Sequence, residues 1–366
     1  MKTINRSVAT HFFSETYFDA RDVFHESCKS LGSEPLSFEL TEDCHPNATL
    51  TCDAAYFGDP SADTLFVVCC GTHGAESGCG SGVMSAWLQQ RSFADRPANA
   101  SVLLIHALNP WGHAQMARTD QYNIDLNRNF VDFGVEPPVN GNYADLHAWF
   151  EPQEWTPQSI EKICERMHAF KNERGTKAFL EALRAGQYNY PQGIGFGGFA
   201  PSWSRQTFET LLQKFAVQRR RVVFLDIHTG VGEYAEPVFI CFHEPGSIAR
   251  KRAAAWWSTE IDQLPSRNEQ AIAYTGTIMQ AVPEIIPDVE TTAVCLEFGT
   301  LPMLDVQLAI VADNWLRRQD KKTEEQVSRA KALVQDAFFP ADPVWRERVL
   351  DTALNILNRT LLEIAK

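Results

Sequence analysis

His73-Gly74-Ala75-Glu76 places an imidazole and a carboxylate three residues apart, just past Thr64-Leu65-Phe66-Val67-Val68-Cys69-Cys70, a run of buried-strand character. Gly71 and Gly74 let the chain turn sharply there. Brought together, the two side chains can hold two corners of a zinc tetrahedron. Of the ten histidines, His73 alone has a glutamate at the third position after it. A hydrolytic zinc site needs a third protein ligand and a free position for water. His228, just past the apolar strand Val222–Asp226, suits that place, because ligand sites in open α/β sheets form beyond the carboxyl ends of strands. Taken alone, His228 also reads as a hydrogen-bonded core or loop histidine.

Attack by a metal-activated water needs a base. Glu297 follows the buried strand Ala293-Val294-Cys295-Leu296, where a carboxylate is costly unless it faces a cleft or meets a partner. A structural ion pair is the other reading of that residue. Arg118 is a candidate for the cation at a developing oxyanion. Between them lies Asn123-Ile124-Asp125-Leu126-Asn127-Arg128-Asn129-Phe130. The Arg128 guanidinium suits a two-pronged grip on a carboxylate, and Asn127 can add a donor. A polar loop whose Asn and Asp side chains only satisfy turns is the alternative.

His73-x-x-Glu76, Asn109-Pro110, Arg118, Asp125-Leu126-Asn127-Arg128-Asn129-Phe130, His228 and Glu297 stand in an order that resembles the zinc carboxypeptidase family, the group that includes carboxypeptidase A. The resemblance spans roughly residues 60–300 and is dense only at these motifs. It implies one zinc ion per chain held by His73, Glu76 and His228, with Glu297 as general base and later proton donor. It further implies that Arg118 polarises the scissile carbonyl, that Asn127 and Arg128 bind a terminal carboxylate, and that Asp125 orients the His73 ring. Tyr274, 23 residues before Glu297, is the nearest candidate for the family's substrate-covering tyrosine. The interval between Arg128 and His228 is longer than in the carboxypeptidase core, and without a secretory signal before the core the chain looks more like a bacterial cytosolic branch of the family than the digestive enzymes. The related desuccinylases and aspartoacylases share the zinc chemistry but cleave N-acyl amino acids.

Positioning such residues requires a sheet whose strand ends converge. Apolar runs at 64–70, 101–105, 221–226, 237–242 and 293–298 alternate with helical segments, predicting a mixed, largely parallel central sheet flanked by helices, a three-layer α/β sandwich. Ahead of them come a helix at about 14–31 and two strands, Leu36 to Leu40 and Thr49 to Phe57, joined by a Pro/Asn turn. A helix is expected from Ser81 to about Phe93. The C-terminus shows an apolar helical face of Leu350, Leu354, Leu357, Leu361 and Ile364. With no repeat or low-complexity linker, residues 1–366 read as one catalytic domain carrying a helical and glycine-rich insertion at about 131–215. Two amphipathic helices are expected within 156–185. The Gly-x-Gly-x-x-Gly match at Gly193, Gly195 and Gly198 lies between Pro191 and Pro201, not between a strand and a helix, so a loop folded over a cleft is the expectation.

A formal charge of −13 argues against sequence-independent nucleic-acid binding. No apolar stretch approaches the roughly 18 residues of a membrane span, and the N-terminus lacks a signal-peptide core. Nine scattered cysteines without Cys-x-x-Cys suggest buried, reduced thiols and a cytoplasmic protein. The leading expectation is therefore a zinc metallocarboxypeptidase acting on small peptides, with a homo-oligomer allowed. An amidohydrolase for N-acyl amino acids or cell-wall peptides is the alternative, and a non-catalytic module binding peptide termini the second. The side-chain preference stays open: Met279 and its apolar neighbours suggest an apolar pocket, whereas Glu284, Asp288 and Glu290 suggest a basic substrate.

Overall fold

The structure, a computed structural model, describes residues 11–41, 48–257, 261 and 274–366. Seven strands form one sheet in the order β1-β2-β4-β3-β5-β7-β6. They span β1 Leu36–Glu39, β2 Thr51–Phe57, β3 Thr64–Cys70, β4 Ala100–His106, β5 Arg221–Tyr234, β6 Pro237–Ile240 and β7 Glu290–Gly299. The central four, β4-β3-β5-β7, run parallel, while β1, β2 and β6 pair antiparallel to their neighbours at the two margins. The mixed, largely parallel sheet read from the apolar runs is thus present. Pro46 and Asn47, expected to turn between β1 and β2, lie outside the described residues.

Helices cover both faces: α1 Tyr17–Ser30, α2 Ser77–Leu88, α3 Pro110–Gln115, α4 Gly141–His147, α5 Pro157–Arg184, α6 Trp203–Phe215, α7 Ile248–Trp256, α8 Ile278–Ile285, α9 Met303–Arg318, α10 Glu324–Phe338 and α11 Pro343–Ile364. Alternation along the buried strands feeds two cores. Phe66, Val68 and Cys70 of β3 join Trp87 of α2 and Leu350 of α11. Leu65, Val67 and Cys69 face the other way, toward Leu211 of α6 and Val282 of α8. A third cluster unites α4, α5, α9 and α10 through Leu146, Phe170, Trp315 and Val334. The five apolar residues read as the face of α11 are all buried. The eight described cysteines are free thiols, and Cys69 and Cys70 point into different cores.

Within residues 131–215, α6 packs on the sheet, whereas α4 and α5 pack on α9 and α10. Gly175, at φ +84°, breaks α5 into the two helical pieces expected there. One boundary departs from expectation: α2 begins at Ser77, four residues before Ser81, and runs through Ser-Gly-Cys-Gly-Ser-Gly. Glycines weaken an isolated helix, but here they admit close neighbours. A Cβ on Gly80 would lie 2.3 Å from Cys70 Cβ, and one on Gly82 2.6 Å from the Phe13 ring. Among the described residues no helix is long and apolar enough to cross a membrane.

Candidate active site

The order of the parallel strands reverses beside β3: the chain moves to β4 on one side and later to β5 on the other. The crevice at such a reversal, at the carboxyl ends of the strands, is where α/β sheets bind ligands. β3 delivers its chain to Gly71, at φ +80°, and then to a tight turn over Gly74–Glu76. A Cβ on Gly74 would fall 2.0 Å from the Gly112 carbonyl carbon, so glycine is needed for the turn to rest on α3. The Gly74 N–H donates to the Arg118 carbonyl at 3.2 Å, which brings Arg118 beside His73.

His228 lies within β5 and is paired in register with Glu297 on β7. The strand extends past His228 to Tyr234 through a register shift after Thr229, so His228 is inside a strand and not beyond its end. Glu76 joins the two histidines. Its Oε1 is 3.0 Å from His73 Nδ1, and its Oε2 is 3.0 Å from His228 Nδ1. The backbone N–H of Thr229 also donates to Oε2 at 3.0 Å. On the far side of each ring stands a second carboxylate: Asp125 Oδ1 lies 3.0 Å from His73 Nε2, and Asp226 Oδ2 lies 2.6 Å from His228 Nε2. One donor atom each from His73, Glu76 and His228 falls within 4.8 Å of the others, and all three residues are buried. Two imidazoles and a carboxylate, converging with their outer nitrogens tied to carboxylates, fit a zinc ion by donor type and by orientation.

Arg118 donates to Glu76 Oε1 through Nη1 at 3.1 Å and to Asp125 Oδ2 through Nε at 3.3 Å. Its Nη2 lies 2.8 Å from His73 Nε2. That ring nitrogen can accept from Arg118 or donate to Asp125, not both at once. The tautomer with its proton on Nε2, donated to Asp125, is the one that leaves Nδ1 free to ligate.

The electrostatics follow from this crowding. Burial pushes the Glu76 carboxyl up, but the His73 and His228 charges outweigh it and hold the group well below the carboxylate range. Burial likewise opposes the charged form of Asp125, and Arg118 with His73 overcomes it, again to a low value. Burial would lower His228, yet Asp226 and Glu76 raise it well above the ordinary histidine value. Glu297 goes the other way. Burial first, and then the nearby Glu76 charge, push it up to about 7 against the pull of His228, His73 and Arg118. Its Oε2 is buried and has no hydrogen-bond partner among the described residues. A carboxyl poised near neutrality, with a free oxygen beside a candidate metal cluster, can take up and release a proton.

Asn127 and Arg128 line the same cleft, with Tyr274 on its wall. Asn127 Oδ1 accepts the Ile278 N–H at 2.9 Å. Arg128 donates to the Asn127 and Arg184 carbonyls, the latter at 2.6 Å, and its buried Nε has no partner among the described residues. Burial and the like charge of Arg118 pull it below the usual arginine value, in spite of Asp125. A buried cation that hydrogen-bonds no carboxylate among the described residues is suited to an anionic ligand. Its guanidinium carbon lies 5.4 Å from the Tyr274 ring centre.

The glycine-rich segment grips the 123–129 motif along its length. Asp125 N–H donates to the Phe196 carbonyl at 2.7 Å, Asn129 Nδ2 to the Gly197 carbonyl at 2.7 Å, and the Tyr188 hydroxyl to the Arg128 carbonyl at 2.7 Å. Ile194 and Gly195 also border the cleft, as the expected loop over a cleft would. Two residues that the sequence reading gave no part in the site complete it. Asp226 precedes His228 by two positions on one strand and so shares its face, a signal the sequence did carry. Thr72 donates its hydroxyl to the same Asp226 oxygen at 2.8 Å, a contact across 154 residues that no local pattern encodes.

Residues 13–352 match the model of a family described as Protein of unknown function (DUF2817). No curated protein matches the sequence. Bovine thrombin-activatable fibrinolysis inhibitor, solved in complex with tick carboxypeptidase inhibitor, is similar over 97% of this chain and 98% of that one, at 8% identity and TM-score 0.50. Carboxypeptidase A from Helicoverpa armigera aligns over 87% of this chain and 73% of its own, at 12% identity and TM-score 0.45. Succinylglutamate desuccinylase from Chromobacterium violaceum aligns over 81% and 72%, at 16% identity and TM-score 0.36. The first likeness shows a shared carboxypeptidase-like α/β fold, and at this identity nothing of activity.

Proposed function

The chain belongs to the DUF2817 family, and we propose that it is a zinc-dependent hydrolase, a carboxypeptidase that cleaves the bond next to a free C-terminal carboxylate. One observation carries the reading: the unpartnered, buried carboxyl oxygen of Glu297 shares a cleft with the His73–Glu76–His228 cluster and with Arg128. Zinc in such a donor set lowers the pKa of water and polarises a carbonyl oxygen.

The chain's own residues supply the rest. Arg128 and Asn127 hold the substrate carboxylate, which sets the scissile carbonyl over the cluster. Glu297 takes a proton from the attacking water and returns it to the leaving amine. Were Glu76 to hold the zinc, Arg118 would be free to donate to the carbonyl oxygen as charge develops there. Asp125 and Asp226 keep the two imidazoles turned inward. Tyr274 covers the substrate beside Arg128.

Glu297→Gln keeps the side-chain shape and removes the base. The variant should retain about one zinc per chain by metal analysis while hydrolysis of blocked dipeptides falls by roughly 100-fold or more. Undiminished hydrolysis would end this mechanism. An N-acyl amino acid carries the same α-carboxylate, so acyl-amino acids run beside the dipeptides separate a deacylase from a carboxypeptidase.

A further inference from the structure

The carboxylate clamp and an apolar wall are built as one unit. Asn127 holds the first N–H of α8, at Ile278, and the next residue, Met279, lines the cleft. Arg128 sits over Tyr274, whose ring meets Phe242 edge-on at 5.4 Å. Cys295 precedes Glu297 by two positions on β7, so both project from one face, and Ile240 on β6 is its cross-strand neighbour. Ile240, Phe242, Tyr274, Met279 and Cys295 all border the cleft.

We infer that the residue whose α-carboxylate is held by Asn127 and Arg128 carries an apolar side chain. This deepens the carboxypeptidase reading and rests on it. The α-carbon is one bond from the held carboxylate, so its side chain must enter the space beside the clamp, where these five residues stand. The acids that pointed to a basic substrate are elsewhere. Glu284 and Asp288 are exposed, and Glu290 is bound by Arg221 and by Arg252, the latter at 3.0 Å. Glu297 borders the wall but is committed to proton transfer. A lysine or arginine side chain would therefore be buried without a free counter-charge, at a cost apolar contacts cannot offset. An acidic side chain fares no better at the wall, because Arg118 is taken up by Asp125 and the scissile carbonyl, and Arg128 by the substrate carboxylate. Among the described residues Arg184, which borders the cleft from the end of α5, is the remaining cation it could seek, and the glutamate substrate below tests that possibility.

The test uses the full-length, zinc-loaded protein and blocked dipeptides that differ only in a C-terminal Phe, Leu, Glu or Lys. Phe or Leu should exceed Glu and Lys in kcat/KM on the order of 100-fold. A preference for Lys or Glu overturns the apolar pocket and leaves the hydrolase reading standing. Calorimetric binding of the free amino acids L-Phe, L-Leu, L-Glu and L-Lys adds an arm that needs no turnover. Tighter binding of L-Phe or L-Leu, by at least about tenfold, supports the pocket even if no dipeptide is cleaved, in which case the carboxypeptidase reading alone falls. Equal binding of all four overturns the inference.

Discussion

Asp226 stands to His228 as Asp125 stands to His73: a buried carboxylate on the outer nitrogen of an imidazole whose inner nitrogen faces Glu76. A carboxylate in that position orients the ring, sets its tautomer and makes it a better ligand. Asp226→Asn preserves size and the bond from the Thr72 hydroxyl but loses the charge. Zinc affinity should fall about 10- to 100-fold, measured by competition with a chromophoric chelator. Unchanged affinity would reduce Asp226 to a packing residue. The structure brings His73, Glu76, Asp125, Asn127, Arg128, His228 and Glu297 to one place; positions after apolar runs pointed to His73, His228 and Glu297, residue types to Asn127 and Arg128, and only the family resemblance to the part of Asp125. What they would do together was not legible in one respect. Arg118, expected to face a substrate carbonyl, donates instead to Glu76 and Asp125, since two buried carboxylates draw the nearest guanidinium before any substrate is present.

The segment from Gly186 to Ala200 acts on the site as an element, through backbone fitted against backbone. Sequence offers its glycines as a nucleotide-loop pattern, and only their surroundings in three dimensions give their use. A Cβ on Gly197 would lie 2.6 Å from the Arg128 carbonyl oxygen, and one on Gly198 2.8 Å from Asn129 Nδ2. Gly186 is the most direct probe, at φ +87° with its Cβ position 2.6 Å from Arg128 Cδ. Gly186→Ala must strain the backbone, push the Arg128 side chain, or both. KM for a C-terminal substrate should rise at least about tenfold, with zinc affinity unchanged, because the metal residues lie outside the contact. An unaltered KM would show that the segment does not position the clamp. The same kind of contact hid the start of α2: glycine's low helix propensity marks 77–82 as a turn, and the neighbours Cys70 and Phe13 that make glycine necessary are distant in sequence.

At the scale of the molecule the site is a tie between distant parts of the sheet. His73 and Glu76 follow β3, His228 lies in β5 and Glu297 in β7, so a metal held by the first three joins segments 152 or more residues apart. The parallel core that makes this possible could be read from apolar runs, whereas the pairing of His228 with Glu297 depends on strand register, which no single run encodes. A ligand that binds the folded chain alone stabilises it by mass action, about 2.7 kcal/mol at a free concentration 100 times Kd. Zinc should therefore raise the thermal midpoint of the metal-free protein, and His228→Ala should abolish the rise. The pH dependence has a definite sign. In the metal-free fold His228 is raised well above its ordinary value by Asp226 and Glu76, against burial. It thus contributes stability that is complete below the unfolded value, about 6.5, and is lost as pH rises through the folded one. Zinc must displace that proton, so its affinity rises with pH, up to tenfold per unit for each proton released. The zinc-induced rise in midpoint should accordingly grow from pH 6 to pH 8, followed by scanning calorimetry at one fixed free zinc concentration. A shift that ignored pH, or survived in His228→Ala, would mean that zinc is held elsewhere and that the joining of β3 to β5 is not its work.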